Sequence, residues 1–207
     1  VQYIKGVGPN RVKLFNLLGV YTVEDLINYY PRAYEDRTKI KKIEELQDGE
    51  EALIEAVTVS GVSVFKLRKN MTVSKVLVQD DTGRCLITWF NQNYIKTKIH
   101  AKERYKFFGK ITKKLGQIEM ASPVFDAEGE NKNTGKIVPI YSTTKNLSET
   151  AIRQAVERAL QMIDEEIGET LPEYIKSEYH LMGADESIKK VHFPDSLDNL
   201  AKARNRL

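Results

Sequence analysis

Apolar residues recur at helical spacing near the start of this chain. In residues 9–30 they fall three or four positions apart, with Gly19 suited to end one helix and Thr22 suited to cap the next. Pro31 then stops the second helix, because proline lacks the N–H that a helix interior uses. We therefore predict two short helices around a tight turn, within an amino-terminal helical region of residues 1–44.

Apolar and polar residues alternate in the middle of the chain, which is the period of β-strands. A short helical pattern around Tyr94 follows the third of several strand-like runs, and Gly61 suits a bend within the first run. Five short strands with a helix between the third and the fourth are the arrangement of an OB-fold, a small and partly open barrel. We predict this OB-fold over residues 45–143. The strand-like runs are residues 52–65, 72–80, 84–90, 104–114 and 116–122.

Helical spacing returns near the carboxy terminus. Ser148 is a favourable N-cap for an amphipathic helix, Pro172 ends the helical pattern, and shorter helices follow. An extended stretch at residues 136–142 contains a proline and is predicted to be an edge or exit strand. Residues 144–207 are predicted to be a helical segment. The fold class is therefore α+β, an OB-fold β-barrel flanked by helical amino- and carboxy-terminal segments.

Positive charge is concentrated in the middle segment. The chain has a net charge of +3, but residues 66–114 hold 13 Lys and Arg against Asp80, Asp81 and Glu103. Residues 146–207 are acidic, with 8 basic and 12 acidic side chains. Such a local excess of cations fits a polyanionic partner, nucleic acid above all. A solvated lysine-rich surface fits the same counts, so charge alone leaves both interpretations open.

The sequence contains no recognisable catalytic or metal site. Cys85 is the only cysteine and lies in an apolar alternation, which predicts a buried small side chain rather than a nucleophile. Asp80 and Asp81 belong to the sequence DDTG, where a turn is expected rather than a metal. The chain has no GxxxxGK[ST] phosphate loop, and its three histidines lack zinc-ligand spacing. We predict no catalytic residue, no metal and no cofactor in this chain.

The apolar runs are only a few residues long, so we predict no membrane-spanning segment. A single cysteine and the lack of a recognisable secretion leader fit the reducing cytoplasm. The first residue is Val1 rather than Met, so we expect the chain to be part of a longer protein.

The sequence WFNQNY places three aromatic residues where the third strand-like run ends. Trp89 is expected in the core, whereas Phe90 and Tyr94 fall on the opposite phase or beyond the strand. Exposed rings beside cations can stack on unpaired bases while the cations contact phosphates. We predict that Phe90 and Tyr94 stack on DNA bases and project from one side, with a helix starting near Asn91. The predicted phosphate contacts are Lys66, Arg68, Lys69, Arg84, Lys96, Lys98, Lys110 and Lys113.

Gly6-Val7-Gly8 precedes the first helix and resembles the hairpin of a helix-hairpin-helix motif. Two glycines let the backbone turn tightly, and the helix amino terminus behind them offers N–H groups to a phosphate. The first helix of such a motif would lie before Val1, so the motif is incomplete in this chain. Gly6 and Gly8 are candidate phosphate contacts, and the alternative is that they only form a tight turn into the helix.

Four stretches of the sequence together resemble one known family. They are IKGVGPNRVKLFNLLGVYTVEDLINYYPRAYEDRT, QDDTGRCLITWFNQNYIK, IVPIYSTTKNLSETAIRQAV and VHFPDSLDNLAKARNRL. In combination they resemble the amino-terminal region of RecG, a family of bacterial ATP-dependent DNA helicases, over essentially the whole chain. The departures are small, because only Ala33 replaces a frequent arginine and Asp81 a frequent glycine. The missing arginine puts one DNA or interdomain contact in doubt.

The resemblance implies a function for the longer protein. RecG-like helicases remodel stalled replication forks and Holliday junctions in recombination and repair, and their motor domains follow the region matched here. The OB-fold wedge splits the arms at the branch point, where the pair matching Phe90 and Tyr94 stacks on bases. We expect ATP and magnesium in the motor, no cofactor in this chain, and branched DNA as its partner. We further expect a bacterial, cytoplasmic, nucleoid-associated monomer, with single-stranded DNA-binding protein as a second partner.

Two other functions remain open. A general single-stranded DNA- or RNA-binding OB module would bind plain single strands as well as forks, and it would not need helical segments on both sides. A protein-interaction OB module would instead bind an acidic tail peptide in competition with DNA. Preference for a fork over a plain single strand separates the first alternative from the helicase interpretation.

Overall fold

Strands gather in the middle of the chain, and most helices lie toward its two ends. The computed structural model describes residues 1–67, 71–114, 116–163 and 167–207. Asp36–Lys136 forms one compact unit, called the barrel unit below. Val1–Glu35 and Ile137–Leu207 together form a second one, called the helical unit.

The elements are numbered in chain order. In the described residues the α-helices are α1 (Pro9–Leu17), α2 (Val23–Ile27), α3 (Glu149–Met162), α4 (Glu173–Tyr179), α5 (Ala184–His192) and α6 (Leu197–Arg206). The strands are β1 (Ala33–Asp36), β2 (Ile40–Lys41), β3 (Glu51–Thr58), β4 (Ser63–Lys66), β5 (Thr72–Gln79), β6 (Arg84–Phe90), β7 (Arg104–Lys114), β8 (Gln117–Ala121), β9 (Val124–Ala127) and β10 (Ile137–Ile140). Short 3-10 helices lie at Ile43–Glu45 and Asn93–Thr97.

Five strands of the barrel unit pair in a closed series. β3 pairs with β5, β5 with β6, β6 with β8, β8 with β7, and β7 again with β3. The β6–β8 pairing is parallel and the others are antiparallel. Five strands in such a small closed arrangement, with a helix after the third, form an OB-fold. The predicted OB-fold is confirmed, and the short strands β2, β4 and β9 extend its margins.

Aromatic side chains fill the core of the barrel unit. Trp89 packs edge-on against Phe125, with ring centroids 5.9 Å apart, and lies 6.2 Å from the ring of Phe107. Its indole N–H donates a hydrogen bond to the carbonyl of Pro123 at 3.1 Å, so its polar atom is satisfied inside the core. Because successive strand residues face opposite sides, this inward Trp89 fixes Phe90 on the outer face.

The first predicted strand is interrupted. β3 ends at Thr58, whose hydroxyl donates a hydrogen bond to the carbonyl of His100 at 2.6 Å. The chain then turns through Gly61 and resumes as β4, which pairs back onto β5 in antiparallel register. β4 runs along β5 in the same direction as the end of β3, because Thr58 pairs with Val78 and Ser63 pairs with Lys75. The expected bend at Gly61 is therefore present, as a two-residue bulge that interrupts the regular strand. All four residues of β4 are exposed, so this strand packs no side chain into the core.

The helix after β6 is a 3-10 helix that begins at Asn93, not an α-helix beginning near Asn91 as predicted. Asn91 has a left-handed backbone with φ of 54°. Its amide donates to the carbonyl of Thr72 at 2.8 Å, and its side-chain oxygen accepts from the Thr72 amide at 3.0 Å. Asn91 therefore continues the pairing of β5 with β6 and delays the helix by two residues.

The helix boundaries of the helical unit follow the predicted caps, with one exception. Thr22 and Asp25 form a capping box at α2, with hydrogen bonds of 3.0 and 2.8 Å between each side chain and the other residue's amide. Ser148 accepts from the amide of Ala151 at 3.2 Å and caps α3. Pro172 does not end α3 as predicted, because α3 already ends at Met162.

Helices from both ends of the chain share one hydrophobic core in the helical unit. β1 and β10 form a two-stranded sheet that continues this unit. The predicted domain boundaries at residues 44 and 143 stay a prediction. The buried core residues are Val1, Ile4, Val7, Phe15, Val20, Leu26, Ile27, Tyr141, Leu147, Ile152, Ala155, Val156, Ala159 and Ile188.

A buried histidine joins three parts of the helical unit. His192, the last residue of α5, places Nε2 2.7 Å from the carbonyl of Ile27 and Nδ1 2.7 Å from the hydroxyl of Tyr141. A carbonyl only accepts, so Nε2 carries the proton and Nδ1 accepts from Tyr141 in the neutral ring. Burial lowers the pKa of His192 below its usual value, against the smaller effect of the Ile27 carbonyl.

Candidate nucleic-acid interface

Phe90 and Tyr94 lie on the surface where β6 ends. Alternation along β6 leaves Trp89 1% exposed and Phe90 45% exposed. Tyr94 stands on the 3-10 helix, is 58% exposed, and donates from its hydroxyl to Gln92 Oε1 at 2.9 Å. Both rings are therefore accessible to a ligand, as the sequence predicts, and their role in base stacking stays a prediction.

A groove of about 510 Å³ lies on the outer face of the barrel beside Phe90. Residues of β4 and β5 form one side of it, residues of β7 and β8 form the other, and Thr88 and Phe90 of β6 lie between them. Phe65 of β4 lines the groove and is 51% exposed, although the sequence did not suggest a role for it. The face formed by the second and third strands of an OB-fold is the one that binds oligonucleotides, and here these strands are β5 and β6.

Several cations share the groove, β4 or the 3-10 helix with these rings. Lys75 and Lys114 line the groove, Lys66 ends β4, and Lys96 and Lys98 lie on or next to the 3-10 helix. Within the described part of the chain, none of these five side chains forms an ion pair. Their charge is therefore available to an external anion.

The remaining predicted phosphate contacts lie elsewhere or are not described. Arg84 begins β6, and six residues of extended strand separate it from Phe90 by roughly 20 Å. Lys110 stands opposite Glu51 in the β3–β7 pairing, where a carboxylate is its direct neighbour. Lys113 is exposed near the end of β7. Arg68 and Lys69 lie outside the described residues.

Asp80 and Asp81 lie in a turn of the barrel unit, and both have structural partners. Asp80 accepts from Thr82 and Gly83 amides and, through its second oxygen, from the Ile43 amide, at 2.8 to 2.9 Å. Burial opposes its ionisation, but these hydrogen bonds outweigh burial and hold the pKa of Asp80 below its usual value. Asp81 pairs with Lys42. The expectation that the DDTG carboxylates form a turn is confirmed for Asp80.

Metal-binding clusters and membrane-spanning helices are both absent from the described residues. No group of three His, Cys, Asp or Glu side chains among them is arranged to hold a metal ion. No helix found in the same residues has the length and apolarity needed to cross a membrane.

Cys85 is buried in the barrel core, as predicted, and burial raises the pKa of its thiol to about 12. A thiol with that pKa stays protonated near neutral pH and is a weak nucleophile.

The glycine turn belongs to the helical unit. Gly6 adopts a left-handed backbone with φ of 86°, and an added Cβ would collide with the guanidinium of Arg158. The Gly6 carbonyl accepts from Arg11 at 2.7 Å. These contacts give Gly6 a structural reason to be glycine, whereas Gly8 caps α1 with an ordinary backbone and open space beside it. A phosphate contact at Gly6 or Gly8 stays a prediction.

Phe65, Lys75 and Lys114 are site residues that the sequence-based prediction did not include. Phe65 precedes Lys66 and the further cations of KLRK, the same pattern of an aromatic residue beside cations that indicated Phe90 and Tyr94. The pairing of β4 with β5, and of β5 with β6, brings Phe65 onto the face that carries Phe90. Local sequence does not specify this register.

Known proteins are similar to this chain in sequence and structure. The RecG wedge domain family model matches residues 1–163. The ATP-dependent DNA helicase RecG of Thermotoga maritima is 34% identical over 210 residues, covering 100% of this chain and 27% of the helicase. The Bacillus subtilis RecG helicase is 30% identical over 210 residues, covering 100% of this chain and 30% of that protein. This chain thus spans less than a third of the length of these relatives.

A solved structure agrees with the sequence matches. The structure of RecG bound to a three-way DNA junction superposes with a TM-score of 0.87 at 33% identity, covering 99% of this chain and 28% of that one. The family model covers well over half of this chain, and the same fold extends over nearly all of it. This chain belongs to the RecG wedge domain family.

Proposed function

We propose that this chain is the branched-DNA-binding region of a RecG-type DNA helicase acting on stalled forks and Holliday junctions in recombination and repair. The observation that carries the proposal is the pair of exposed rings, Phe90 and Tyr94, at the end of β6 beside the cations of Lys96 and Lys98. The related RecG whose structure contains a three-way junction supports the same assignment.

The proposed mechanism is steric and electrostatic. Cations of the barrel unit hold the phosphates of the DNA arms, and the barrel itself blocks the passage of duplex. At a fork the terminal base pair has only one stacking neighbour, and an exposed ring such as Phe90 takes the place of the other. The chain orients and separates strands without chemical change to the DNA.

Binding measurements on the 207-residue chain test this function. Forked DNA, linear duplex of equal length and a plain single strand are compared at one salt concentration, because phosphate contacts make affinity salt-dependent. We expect the fork to bind most tightly. Equal affinity for the single strand and the fork would instead support a general single-strand-binding OB module and contradict the proposal.

The activity of the longer protein is part of the same proposal. We propose that a motor in the longer protein binds ATP and magnesium and pulls duplex against this region. This chain has no GxxxxGK[ST] sequence, so we expect no ATP hydrolysis by residues 1–207 alone. A DNA-stimulated ATPase signal that disappears when a residue of this chain is mutated would contradict that expectation.

Single-stranded DNA-binding protein is the second proposed partner, in a bacterial cytoplasm where the protein associates with the nucleoid as a monomer. Competition between fork DNA and an acidic tail peptide tests whether the two partners share a surface, and sedimentation tests the monomer. Binding of the peptide with no fork binding would support the protein-interaction alternative instead.

A further inference from the structure

We propose that Phe65 is a third base-stacking residue and that the groove beside it holds the unpaired DNA strand leaving the branch point. This inference deepens the proposed function and rests on it. The groove lies between β4 and β5 on one side and β7 and β8 on the other. We infer that the unpaired DNA strand lies in this groove and that one of its bases stacks on Phe65, separately from the base that stacks on Phe90.

Strand register places Phe65 and Phe90 in one row. Phe65 stands opposite Val73 in the β4–β5 pairing, and Val73 stands opposite Phe90 in the β5–β6 pairing. Directly opposite residues of antiparallel strands share a face. Neighbouring strands are about 4.8 Å apart, so the two rings lie roughly 10 Å apart across the sheet. That separation lets each ring contact a different base of the same strand.

Pairing with β5 holds Phe65 in place without burying it. Leu67 donates from its backbone amide to the carbonyl of Met71 at 2.7 Å, one position beyond the last β4–β5 pair. Phe65 is 51% exposed and contributes nothing to the barrel core. An exposed aromatic residue on a short outer strand is unusual, because such strands are commonly protected by charged side chains. Exposed apolar surface that lines a groove marks a binding site more often than a structural one.

Charge on the groove favours a nucleic-acid strand over a peptide or an apolar ligand. Lys75 and Lys114 line the groove, and Glu119 is the acidic residue among its described lining residues. Lys66 adds a further cation at the end of β4. Rings between cations match an unpaired strand, whose bases offer flat faces and whose phosphates offer negative charge. In a duplex arm the bases stack on one another, so no base face is free to stack on the ring of Phe65.

The test compares two three-armed DNA junctions that differ only in whether one arm is unpaired. The 207-residue chain is compared with Phe65→Ala, Phe65→Leu and Phe65→Trp. We expect Phe65→Ala to weaken binding to the junction with the unpaired arm about five-fold or more. Phe65→Leu should weaken it as well, because leucine keeps apolar surface without a ring, and Phe65→Trp should keep full affinity.

Two controls make the result specific. Val64→Ala changes the next exposed residue of β4, on the opposite face by alternation, and should leave affinity for both junctions unchanged. The junction with three duplex arms should bind all Phe65 variants equally. Melting followed by circular dichroism checks that each variant is folded.

Each outcome decides the inference. Full affinity in Phe65→Leu, or an equal decrease in affinity for both junctions, overturns the stacking role. Unchanged DNA binding in Phe65→Ala overturns the inference and leaves the groove to a protein partner, while fork preference in the same chain keeps the proposed function. If the unmodified chain binds neither junction, the proposed function itself fails.

Discussion

Cations in the two units of this protein have different surroundings. In the helical unit, Lys176, Lys189 and Lys202 form ion pairs of 2.7 to 2.8 Å with carboxylates on their own helices. In the barrel unit, Lys96 and Lys98 beside the exposed rings form no ion pair with another described residue. Local sequence explains part of the difference, since α4, α5 and α6 each place an acidic residue three or four positions before the lysine.

The barrel unit does contain ion pairs, but they lie away from the rings. Lys41 pairs with Glu50, and Arg104 pairs with Glu55 at 3.2 Å. The difference is therefore a property of one surface rather than of the whole unit. A lysine without a protein partner can neutralise a DNA phosphate and release the cations condensed on the DNA, which increases the affinity.

Exposed rings alone do not separate the two units. Tyr3 and Tyr174 of the helical unit are more exposed than Phe90 or Tyr94. Tyr174 stands on α4, the helix on which Lys176 pairs with Glu173 at 2.8 Å. A ring beside cations that form no ion pair with the described residues, rather than a ring by itself, distinguishes the candidate interface.

The largest effect is expected from the rings. Phe90→Ala and Tyr94→Ala should each weaken fork binding about five- to a hundred-fold, because stacking is worth about 1–3 kcal/mol per base. Linear duplex exposes base faces only at its ends, so its affinity should barely change. Phe90 should matter more than Tyr94, because it lies in the strand itself and borders the groove. Titrations of fork and duplex of equal length measure both effects.

Tyr174→Ala is the matched control for the rings, since it removes an exposed ring from a helix whose lysine is paired. It should change neither fork nor duplex affinity. Equal decreases in fork and duplex affinity for Phe90→Ala, or a drop in melting temperature typical of a core truncation, would show that the ring is structural. A larger decrease for Tyr94→Ala than for Phe90→Ala would place the branch point nearer the 3-10 helix.

The next effect concerns salt. Replacing Lys96 and Lys98 together by Gln should flatten the slope of log K against log salt by about 0.7–0.9 for each phosphate that a lysine no longer neutralises. Preference for fork over duplex should survive, because phosphate contacts position the DNA and do not read its branch. Fluorescence titrations at several salt concentrations measure the slope.

Lys189→Gln combined with Lys202→Gln removes the same number of charges from the helical unit. Both lysines are already paired with carboxylates, so the slope should stay as in the unmodified chain. A flattened slope in this control would mean that Lys189 and Lys202 neutralise DNA phosphates although they are paired with carboxylates. Ion pairing would then not distinguish the cations of the two units.

Sequence patterns were sufficient where local rules decide the structure. The alternation of residues 84–90 placed Trp89 inward and Phe90 outward, and Thr22 and Ser148 marked the starts of α2 and α3. The OB-fold followed from the order of strands and helix. In each case the residues that carry the signal also make the contacts.

Long-range pairing limited the rest. Gly61 marks a bend in residues 52–65, but the size of the bulge and the register beyond it involve distant residues, such as His100, whose carbonyl accepts from the Thr58 hydroxyl. Asn91 likewise takes its left-handed backbone by pairing with Thr72 across the sheet. The position of Phe65 beside Phe90 follows from the registers of β4 on β5 and of β5 on β6. Alternation within a single strand does not fix these registers, so it could predict the exposed ring of Phe90 but not its neighbour.

A smaller effect is expected with pH, and it should separate the units. The pKa of His192 is lowered in the folded state, so the unfolded chain takes up a proton first as pH falls below about 6.5. The free energy of unfolding of the helical unit should therefore decrease between neutral pH and about pH 5.5. In the barrel unit burial opposes the ionisation of Asp126, but hydrogen bonds from Asn133 and Thr134 still lower its pKa. The contribution of the ionised Asp126 to the free energy of unfolding should therefore be lost only below about pH 4.

The protein carries its own probe for this experiment. Trp89 is the single tryptophan and lies in the barrel core, so its fluorescence reports that unit, while circular dichroism is dominated by helices. At about pH 5.5 the dichroism melt should shift down relative to pH 8, and the fluorescence melt should shift less. In His192→Gln the pH dependence of the dichroism melt should be flatter. Identical shifts for both probes would assign the acid sensitivity to other groups.

The smallest effect concerns the stability supplied by the ion pairs of the helical unit. Lys202→Gln breaks the i,i+4 pair with Asp198, in which both side chains are exposed to solvent, and should lower the free energy of unfolding only slightly. Asp198→Asn should cost more, though still about 1 kcal/mol or less, because Asp198 also lies in the first turn of α6 and interacts favourably with the helix dipole. Denaturant unfolding followed by circular dichroism measures both.

If Lys202→Gln lowers the free energy of unfolding more than Asp198→Asn does, the lysine has a partner beyond Asp198. If either change weakens fork binding, the paired cations of the helical unit contact DNA after all, and an ion pair is then no sign that a cation lies outside the interface.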